Sequence, residues 1–135
     1  MSFHREVADD ELSSQIIGAA ISIHKELGPD LEEEHYRDIL AHTLCEDGLE
    51  AQTEVEAPII YEGQRFGERY VDLVVNDEIA LELKSVNQLS DGHFRQLGTN
   101  VRLLDVSRGL LLNFGSSRVR IRRYVNGYGQ DDAAE

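Results

Sequence analysis

The chain has 135 residues, 41% of them hydrophobic, and no long apolar run, which suits one soluble domain with its own core and excludes a membrane-spanning helix. Its single cysteine, Cys45, excludes an internal disulfide and a cysteine-based zinc cluster, and we expect a buried thiol. The net charge of -13 disfavours a polyanionic partner. However, residues 1–60 hold 15 acidic and three basic residues, whereas residues 61–135 hold 11 and ten, so the second part leaves that option open.

Two amphipathic helices are predicted at the start of the chain. Apolar residues recur every three or four positions from residue 9 or 10 to Leu27, where a Gly-Pro pair ends the first helix. The second helix is predicted to follow an N-cap at Asp30 and to end near Asp47, before a glycine. The acidic residues of the chain are thereby concentrated on these helices.

Beyond residue 48 the pattern changes to alternation and β-branched residues, which predicts strands. They cover residues 51–61, 65–75, 78–85, 109–114 and 118–125, and a helix from Asp91 to Asp105 with Ser90 as its cap interrupts them. The order is α-α-β-β-β-α-β-β, a single α/β domain over residues 9–125 with a mixed β-sheet flanked by helices. We expect a flexible N-terminus (1–8), a disordered acidic tail (126–135) and, since no signal peptide is evident, a cytoplasmic protein without a membrane partner.

The hairpin VDLVVNDEIALELKS, residues 71–85, places three charges among its valines and leucines. Alternation puts Glu82 and Lys84 on one face of the second strand. A two-residue turn would mix charged and apolar groups on both faces, whereas a three-residue turn (76–78) brings Asp72 opposite Glu82 and leaves one face apolar. We therefore predict the second register, whose other pairs are Tyr70 with Lys84, Val71 with Leu83, Leu73 with Leu81 and Val75 with Ile79.

Carboxylates directly opposite each other on neighbouring strands repel unless a positive charge lies between them. A divalent cation bound by Asp72 and Glu82 is the economical solution, because Mg²⁺ is commonly held by one or two carboxylates with water and phosphate. Lys84, one pleat along, could orient or deprotonate a water, or stabilise charge on a phosphate. The alternative is that Glu82 and Lys84 face solvent on a half-exposed sheet, with Asp72 near its edge.

The spacing Asp72-x9-Glu82-x-Lys84 on adjacent strands, between a Glu-bearing helix and a later helix, resembles the PD-(D/E)XK nuclease superfamily. The segments IIGAAISIHKELGPDLEEEHY, ERYVDLVV, ALELKSV, HFRQL and LLLNFG are similar, in this order, to the GxxExxY family, a RecB-like branch. The resemblance covers residues 12–125. It implies a restriction-endonuclease-like core, a Mg²⁺ or Mn²⁺ cofactor, and hydrolysis of phosphodiester bonds in nucleic acid, of which DNA is the first expectation. It also implies a homodimer.

The resemblance assigns roles residue by residue. Asp72 and Glu82 become metal ligands together with the backbone carbonyl of Leu83, and Lys84 becomes the catalytic lysine. The family's helical glutamate, motif tyrosine and later glutamine match Glu33, Tyr36 and Gln96. The sequence departs from the motif at its first glycine, which is Asp30 here.

The accessory residues each have a structural alternative. Asp30 and Glu33 have the spacing of a capping box, and acidic residues in a first turn suit the helix dipole, so Glu33 could be wholly structural. Tyr36 could be a core residue. His93, one helical turn from Gln96, could face the site with it or could be a surface or capping histidine.

Alternate arginines on the last predicted strand form a basic stripe at Arg118, Arg120 and Arg122. Such a stripe suits contacts to the phosphates of a nucleic acid. The competing explanation is that the charges protect an edge strand from aggregation.

The residues together with the resemblance favour a metal-dependent nuclease in which Lys84 and the charge of the metal stabilise the transition state at a scissile phosphate. The alternative is a catalytically inactive protein of the same fold that serves as a protein-interaction or regulatory module through its acidic helices. The two differ in geometry, because a nuclease requires the carboxyl groups of Asp72 and Glu82 together, with Lys84 in the same cleft.

Overall fold

The computed structural model describes residues 10–126. Within them the chain forms the predicted order of helices and strands, and none of the helices is both long and apolar enough to cross a membrane. The predicted flexible N-terminus and residues 127–135 of the predicted tail lie outside the described residues. The elements are α1 (Glu11–Leu27), α2 (Glu33–Glu46), β1 (Ala51–Tyr61), β2 (Gln64–Val75), β3 (Ile79–Lys84), α3 (Asp91–Leu104), β4 (Arg108–Asn113) and β5 (Arg120–Val125).

Capping side chains determine where α1 and α3 begin. The Asp10 carboxylate accepts a hydrogen bond from the backbone N–H of Ser13 at 2.9 Å. At α3 the Ser90 hydroxyl accepts from the His93 N–H at 3.2 Å, and the His93 ring nitrogen Nδ1 accepts from the Ser90 N–H at 3.1 Å. This reciprocal capping box confirms the Ser90 cap and gives His93 the capping role that the sequence left open.

The start of α2 differs from the prediction. Its N-cap is Glu32, which forms no capping hydrogen bond through its side chain, so the cap predicted at Asp30 is wrong. The reason lies in the preceding connection, where the Leu31 N–H donates to the Tyr36 hydroxyl at 3.1 Å. A hydrogen bond to a side chain in the first turn of the helix itself therefore takes the place of the predicted cap.

The position of Cys45 was also predicted wrongly, because the residue is exposed. The buried face of α2 follows Tyr36, Leu40 and Leu44 at helical spacing, and Cys45 is one residue past the last of them. That step rotates its side chain away from the core.

The sheet has the strand order β1-β2-β3-β4-β5, in which β3 and β4 are parallel and the other neighbours are antiparallel. The helices α1 and α2 cover one face and α3 covers the other, so β4 is buried along its whole length. Gly98 lets α3 approach β5, because a Cβ there would lie 2.8 Å from the Tyr124 ring. This close approach explains a glycine inside a helix.

The predicted hairpin register is confirmed near the turn, where Leu73 pairs with Leu81 and Val75 with Ile79. The paired ladder ends at Leu73, so the pairs predicted further along, those of Tyr70, Val71 and Asp72, are not ladder pairs. Instead the Asp72 carboxylate accepts the Leu83 N–H at 2.8 Å. We call the opening between β2 and β3 beyond the Leu73–Leu81 pair the strand fork.

Strand β2 changes face at the strand fork. Leu73 packs in the core under α1 and α2, whereas Val71, two residues earlier, packs in the core under α3. The single apolar face predicted for residues 71–75 is therefore wrong at Val71. On β1 the residue across from Asp72 is Glu54, which has a positive φ of 50°, so both strands depart from regular geometry at the same level.

Gly115 lies against the connection that follows β3, where a Cβ would meet the backbone N and O of Val86 at 2.5 Å. The buried amide of Asn113 fixes the same contact by accepting the Val86 N–H at 3.0 Å and donating to the Val86 carbonyl at 2.8 Å. We expect Gly115→Ala to lower the free energy of unfolding by about 1–3 kcal/mol, because backbone cannot yield as a side chain does.

Urea denaturation measures this effect. Gly18→Ala on α1 is the matched control, because its Cβ would meet nothing within 4 Å. It is expected to stabilise the protein by up to about 1 kcal/mol through helix propensity. Equal urea midpoints for Gly115→Ala and the wild type would contradict the packing argument.

Candidate active site

The carboxyl groups of Asp72 and Glu82 meet at the strand fork. Asp72 is half-buried and Glu82 is 8% exposed. Each residue acts on the pKa of the other, Glu82 through its side chain and Asp72 through its charge and its backbone N–H, so the two groups are close neighbours. The structure thus brings together the two residues that the register argument placed opposite each other, although side-chain contacts rather than a regular ladder join them.

Burial and like charge make this pair difficult to ionise. The pKa of Glu82 is raised from 4.5 to about 7, chiefly by desolvation and then by the charge of Asp72. The pKa of Asp72 is also raised, again chiefly by desolvation, while the Leu83 N–H and the charge of Lys84 act in the opposite direction. A fully ionised pair therefore needs more positive charge than these neighbours provide.

Lys84 ends β3 and lies beside the pair. Its charge favours the ionised form of both carboxyl groups, so its ammonium group is within electrostatic reach of each. The Lys84 carbonyl accepts the Phe114 N–H at 2.8 Å, which fixes the end of β3 against the chain after β4. The three charges of the hairpin consequently occupy one site.

Glu33 lies at the border of this site, in the first turn of α2. Its carboxylate accepts the Ser85 N–H at 3.2 Å, one residue beyond Lys84, and its charge contributes to the raised pKa of Asp72. Ser85 is also held by its hydroxyl, which donates to the Leu31 carbonyl at 2.9 Å. Across residues 10–126 no three His, Cys, Asp or Glu side chains are grouped to bind a metal, so Glu33 does not complete a three-carboxylate cluster.

Tyr36 is a core residue. Its ring is fully buried and stacks on Phe114 with the centroids 4.4 Å apart. Its hydroxyl donates to the Gly28 carbonyl and accepts the Leu31 N–H at 3.1 Å. Tyr36 thereby fixes the connection between α1 and α2, which places Glu33 at the end of β3.

Helix α3 contributes a residue that the sequence did not reveal. Asn100 is 1% exposed, and its Nδ2 donates to Glu82 Oε2 at 2.8 Å. Its Oδ1 accepts from the Nε of Arg69 on β2 at 2.7 Å. Gln96, one turn earlier, is exposed, and its predicted catalytic role stays a prediction. The helical spacing from Gln96 to Asn100 was the one signal that could have identified Asn100.

The arginines of the predicted stripe lie in different surroundings. Arg122 lies with its guanidinium 4.1 Å from the Phe94 ring centroid and 3.3 Å from the Asp91 carboxylate, so it fixes the start of α3. Arg118 precedes β5 and lines a groove of about 370 Å³ with Lys25 of α1. The three arginines are therefore not three equivalent phosphate contacts along one strand.

Arg120 is the arginine of the stripe that is best placed for a ligand near the site. Lys84 pairs with Asn113 on β4, and Asn113 pairs with Arg120 on β5, so Arg120 lies in the Lys84 row at about 10 Å across two strand spacings. Arg120 is exposed and lines a groove of about 730 Å³ between β5 and residues 87–89.

Comparison with known proteins gives one family and one solved structure. A model of the PD-(D/E)XK nuclease superfamily matches residues 10–124. The crystal structure of SSO0001 is similar at 18% sequence identity and a TM-score of 0.53 over 96% of this chain, which spans 63% of that one. None of the curated proteins compared with the chain matches its sequence.

The solved structure supports the fold alone, and the GxxExxY assignment stays a prediction. The family match includes both carboxylates and the lysine of the strand fork and nearly all of the described residues. The chain therefore belongs to the PD-(D/E)XK nuclease superfamily.

Proposed function

We propose that the protein is a Mg²⁺- or Mn²⁺-dependent nuclease that hydrolyses phosphodiester bonds of nucleic acid, with DNA as the preferred substrate. The observation that carries the proposal is the meeting of Asp72, Glu82 and Lys84 at the strand fork. Proteins of this superfamily generally use divalent metal ions.

The side chains of the strand fork fit a divalent cation. One carboxylate oxygen of Asp72 is bonded to the Leu83 N–H and one of Glu82 to Asn100, so each group has a second oxygen for a metal. Carboxylate and carbonyl oxygens suit Mg²⁺ and Mn²⁺, and the Leu83 carbonyl is the proposed third ligand. The raised pKa of Glu82 marks a site where negative charge is poorly compensated, which a cation would correct.

A bound divalent cation supplies Lewis acidity toward a phosphate oxygen and lowers the pKa of a bound water. The protein contributes a rigid end of β3, from which Lys84 can stabilise the negative charge that develops on the phosphate. Glu33, fixed on the Ser85 N–H, borders the same space, and Arg120 is the proposed contact for a neighbouring phosphate.

An inactive interaction module was the alternative from sequence. It would act through the acidic helices, but the meeting of Asp72, Glu82 and Lys84 supports the nuclease over it. The cytoplasmic location and the homodimer stay predictions.

The proposal is tested by metal binding and cleavage together. Calorimetric titration with Mn²⁺ should show binding to the wild type and at least about 100-fold weaker binding to Asp72→Asn, because one of two charged ligands is removed. Asp77→Asn removes the same charge from the exposed hairpin turn and should bind as the wild type does. Single- and double-stranded DNA and RNA are then incubated with each protein and Mg²⁺ or Mn²⁺.

Cleavage by the wild type and Asp77→Asn, but not by Asp72→Asn, is the expected result. A wild type that binds no divalent cation contradicts the metal site. Metal binding without cleavage of any substrate would instead favour the interaction module.

A further inference from the structure

We infer that Asn100 and Arg69 are positioning residues that hold Glu82 for the cation and keep the strand fork narrow enough to prefer Mg²⁺ over Ca²⁺. This inference rests on the proposed metal site of Asp72 and Glu82. It concerns two residues that no sequence motif marked, and it goes beyond the ligands themselves.

The contacts form one continuous bridge across the strand fork. Arg69 on β2 donates to Asn100 Oδ1 at 2.7 Å, and Asn100 Nδ2 on α3 donates to Glu82 Oε2 on β3 at 2.8 Å. Asn100 is 1% exposed, so water cannot readily replace either partner. Both ends of its amide are thus committed to this bridge.

Arg69 determines which way the Asn100 amide faces. Only the NH₂ end can donate to a carboxylate, and the reversed amide would place its oxygen against Glu82. A guanidinium group has donors only, so it must meet the oxygen end, which directs the NH₂ end to Glu82. Arg69 therefore acts on Glu82 through Asn100.

The bridge matters because no main-chain ladder between β2 and β3 sets the distance between Asp72 and Glu82. The β2–β3 ladder ends at Leu73 and Leu81, on the turn side of Asp72 and Glu82. Beyond it, the Asp72–Leu83 bond and the Asn100 bridge join the two strands through side chains. Hydrogen bonds that involve ionised groups are short and strong, so they restrict the separation of the carboxylates.

A restricted separation favours the smaller ion. Mg²⁺ requires ligands at about 2.0–2.1 Å in near-ideal octahedral geometry, whereas Ca²⁺ accepts about 2.3–2.6 Å and irregular geometry. Loosening the strand fork should therefore weaken Mg²⁺ binding more than Ca²⁺ binding.

The test is calorimetric titration of the metal-free full chain with MgCl₂ and with CaCl₂. Arg69→Met keeps the length of the side chain and removes its donors, and Asn100→Leu removes both contacts of the amide. We expect Mg²⁺ affinity to fall about 10- to 100-fold in each, as is typical for partners of metal ligands, and Ca²⁺ affinity to change by less than about threefold. Arg65→Met is the matched control, because Arg65 lies on the same strand but pairs with Glu56 and Glu68.

Arg69 is half-exposed, so Arg69→Met tests the inference even if Asn100→Leu fails to fold. Arg69→Lys, which restores a charged donor, should recover part of the Mg²⁺ affinity. Unchanged affinities of Arg69→Met for both ions overturn the inference, while metal binding by the wild type keeps the proposed function. An equal loss for both ions overturns the selectivity, and a wild type that binds neither ion overturns both proposals.

Discussion

Lys84→Met is expected to lower the cleavage rate about 10²- to 10³-fold, the usual loss when one group that stabilises transition-state charge is removed. Methionine keeps the apolar stem and removes the ammonium group. Metal binding should be unchanged or tighter. In the wild type the positive charge of Lys84 acts on both carboxyl groups, so it repels a cation bound there, and the variant lacks this repulsion. A loss of rate without a loss of Mn²⁺ affinity separates the role of Lys84 from that of the ligands.

Single-turnover cleavage at saturating Mn²⁺ measures the rate, and calorimetry measures the affinity. The chain offers a matched control, because Lys25 is the other lysine and is exposed on α1. Lys25→Met should cleave as the wild type does. Wild-type rates for Lys84→Met would remove Lys84 from the reaction, and equal losses in both variants would point to general electrostatic attraction of the substrate.

The elements of this fold could be predicted because their signals are local. The cap at Ser90, the Gly-Pro pair after Leu27 and the alternation in residues 51–61 specify their elements within a few positions. The register of the hairpin also followed from its apolar pattern as far as Leu73. The change of face of β2 at Asp72 did not follow from that pattern, because it involves the Asp72 carboxylate, which accepts a hydrogen bond from a main-chain N–H eleven residues away.

The residues of the candidate site also divide into those that local sequence signals identify and those that only the folded structure brings together. Asp72, Glu82 and Lys84 could be found from their spacing on adjacent strands. Arg69 and Asn100 could not, because their bonds join residues 31 and 18 positions apart on three different elements. Tyr36 matched a motif, but its hydroxyl is bonded to the connection between α1 and α2. Sequence periodicity alone does not distinguish such a structural tyrosine from one in an active site.

The metal-free protein is expected to lose stability as the pH rises from about 4.5 to 7. The folded pKa of Glu82 is about 7 against an ordinary 4.5, so its protonated form is the one that the fold favours. The stability associated with that proton is fully present below about pH 4.5 and is lost as the pH passes 7. At 1.36 kcal/mol for each pKa unit, this amounts to about 3 kcal/mol at about pH 8, and the raised pKa of Asp72 acts in the same direction.

Glu82→Gln should remove most of this pH dependence. Glutamine keeps the shape and an oxygen that can accept from Asn100, but it carries no charge to desolvate. Urea denaturation in the presence of a chelator, at intervals from about pH 4.5 to 8, measures the free energy of unfolding of both proteins. Glu62→Gln, in the exposed turn between β1 and β2, is the control, and its stability should vary with pH as that of the wild type does. A wild-type value that stays constant over this range would contradict the raised pKa.

Adding Mg²⁺ at about pH 8 then connects this stability to the proposed site. Because a ligand that binds the folded state stabilises it by mass action, the wild type should recover stability with increasing Mg²⁺, and Glu82→Gln should recover much less. The same carboxylate would then destabilise the metal-free fold and hold the cation in the metal-bound one. Its burial beside a second carboxyl group, with a neutral amide as its hydrogen-bond partner, is the physical reason to expect both effects from one residue.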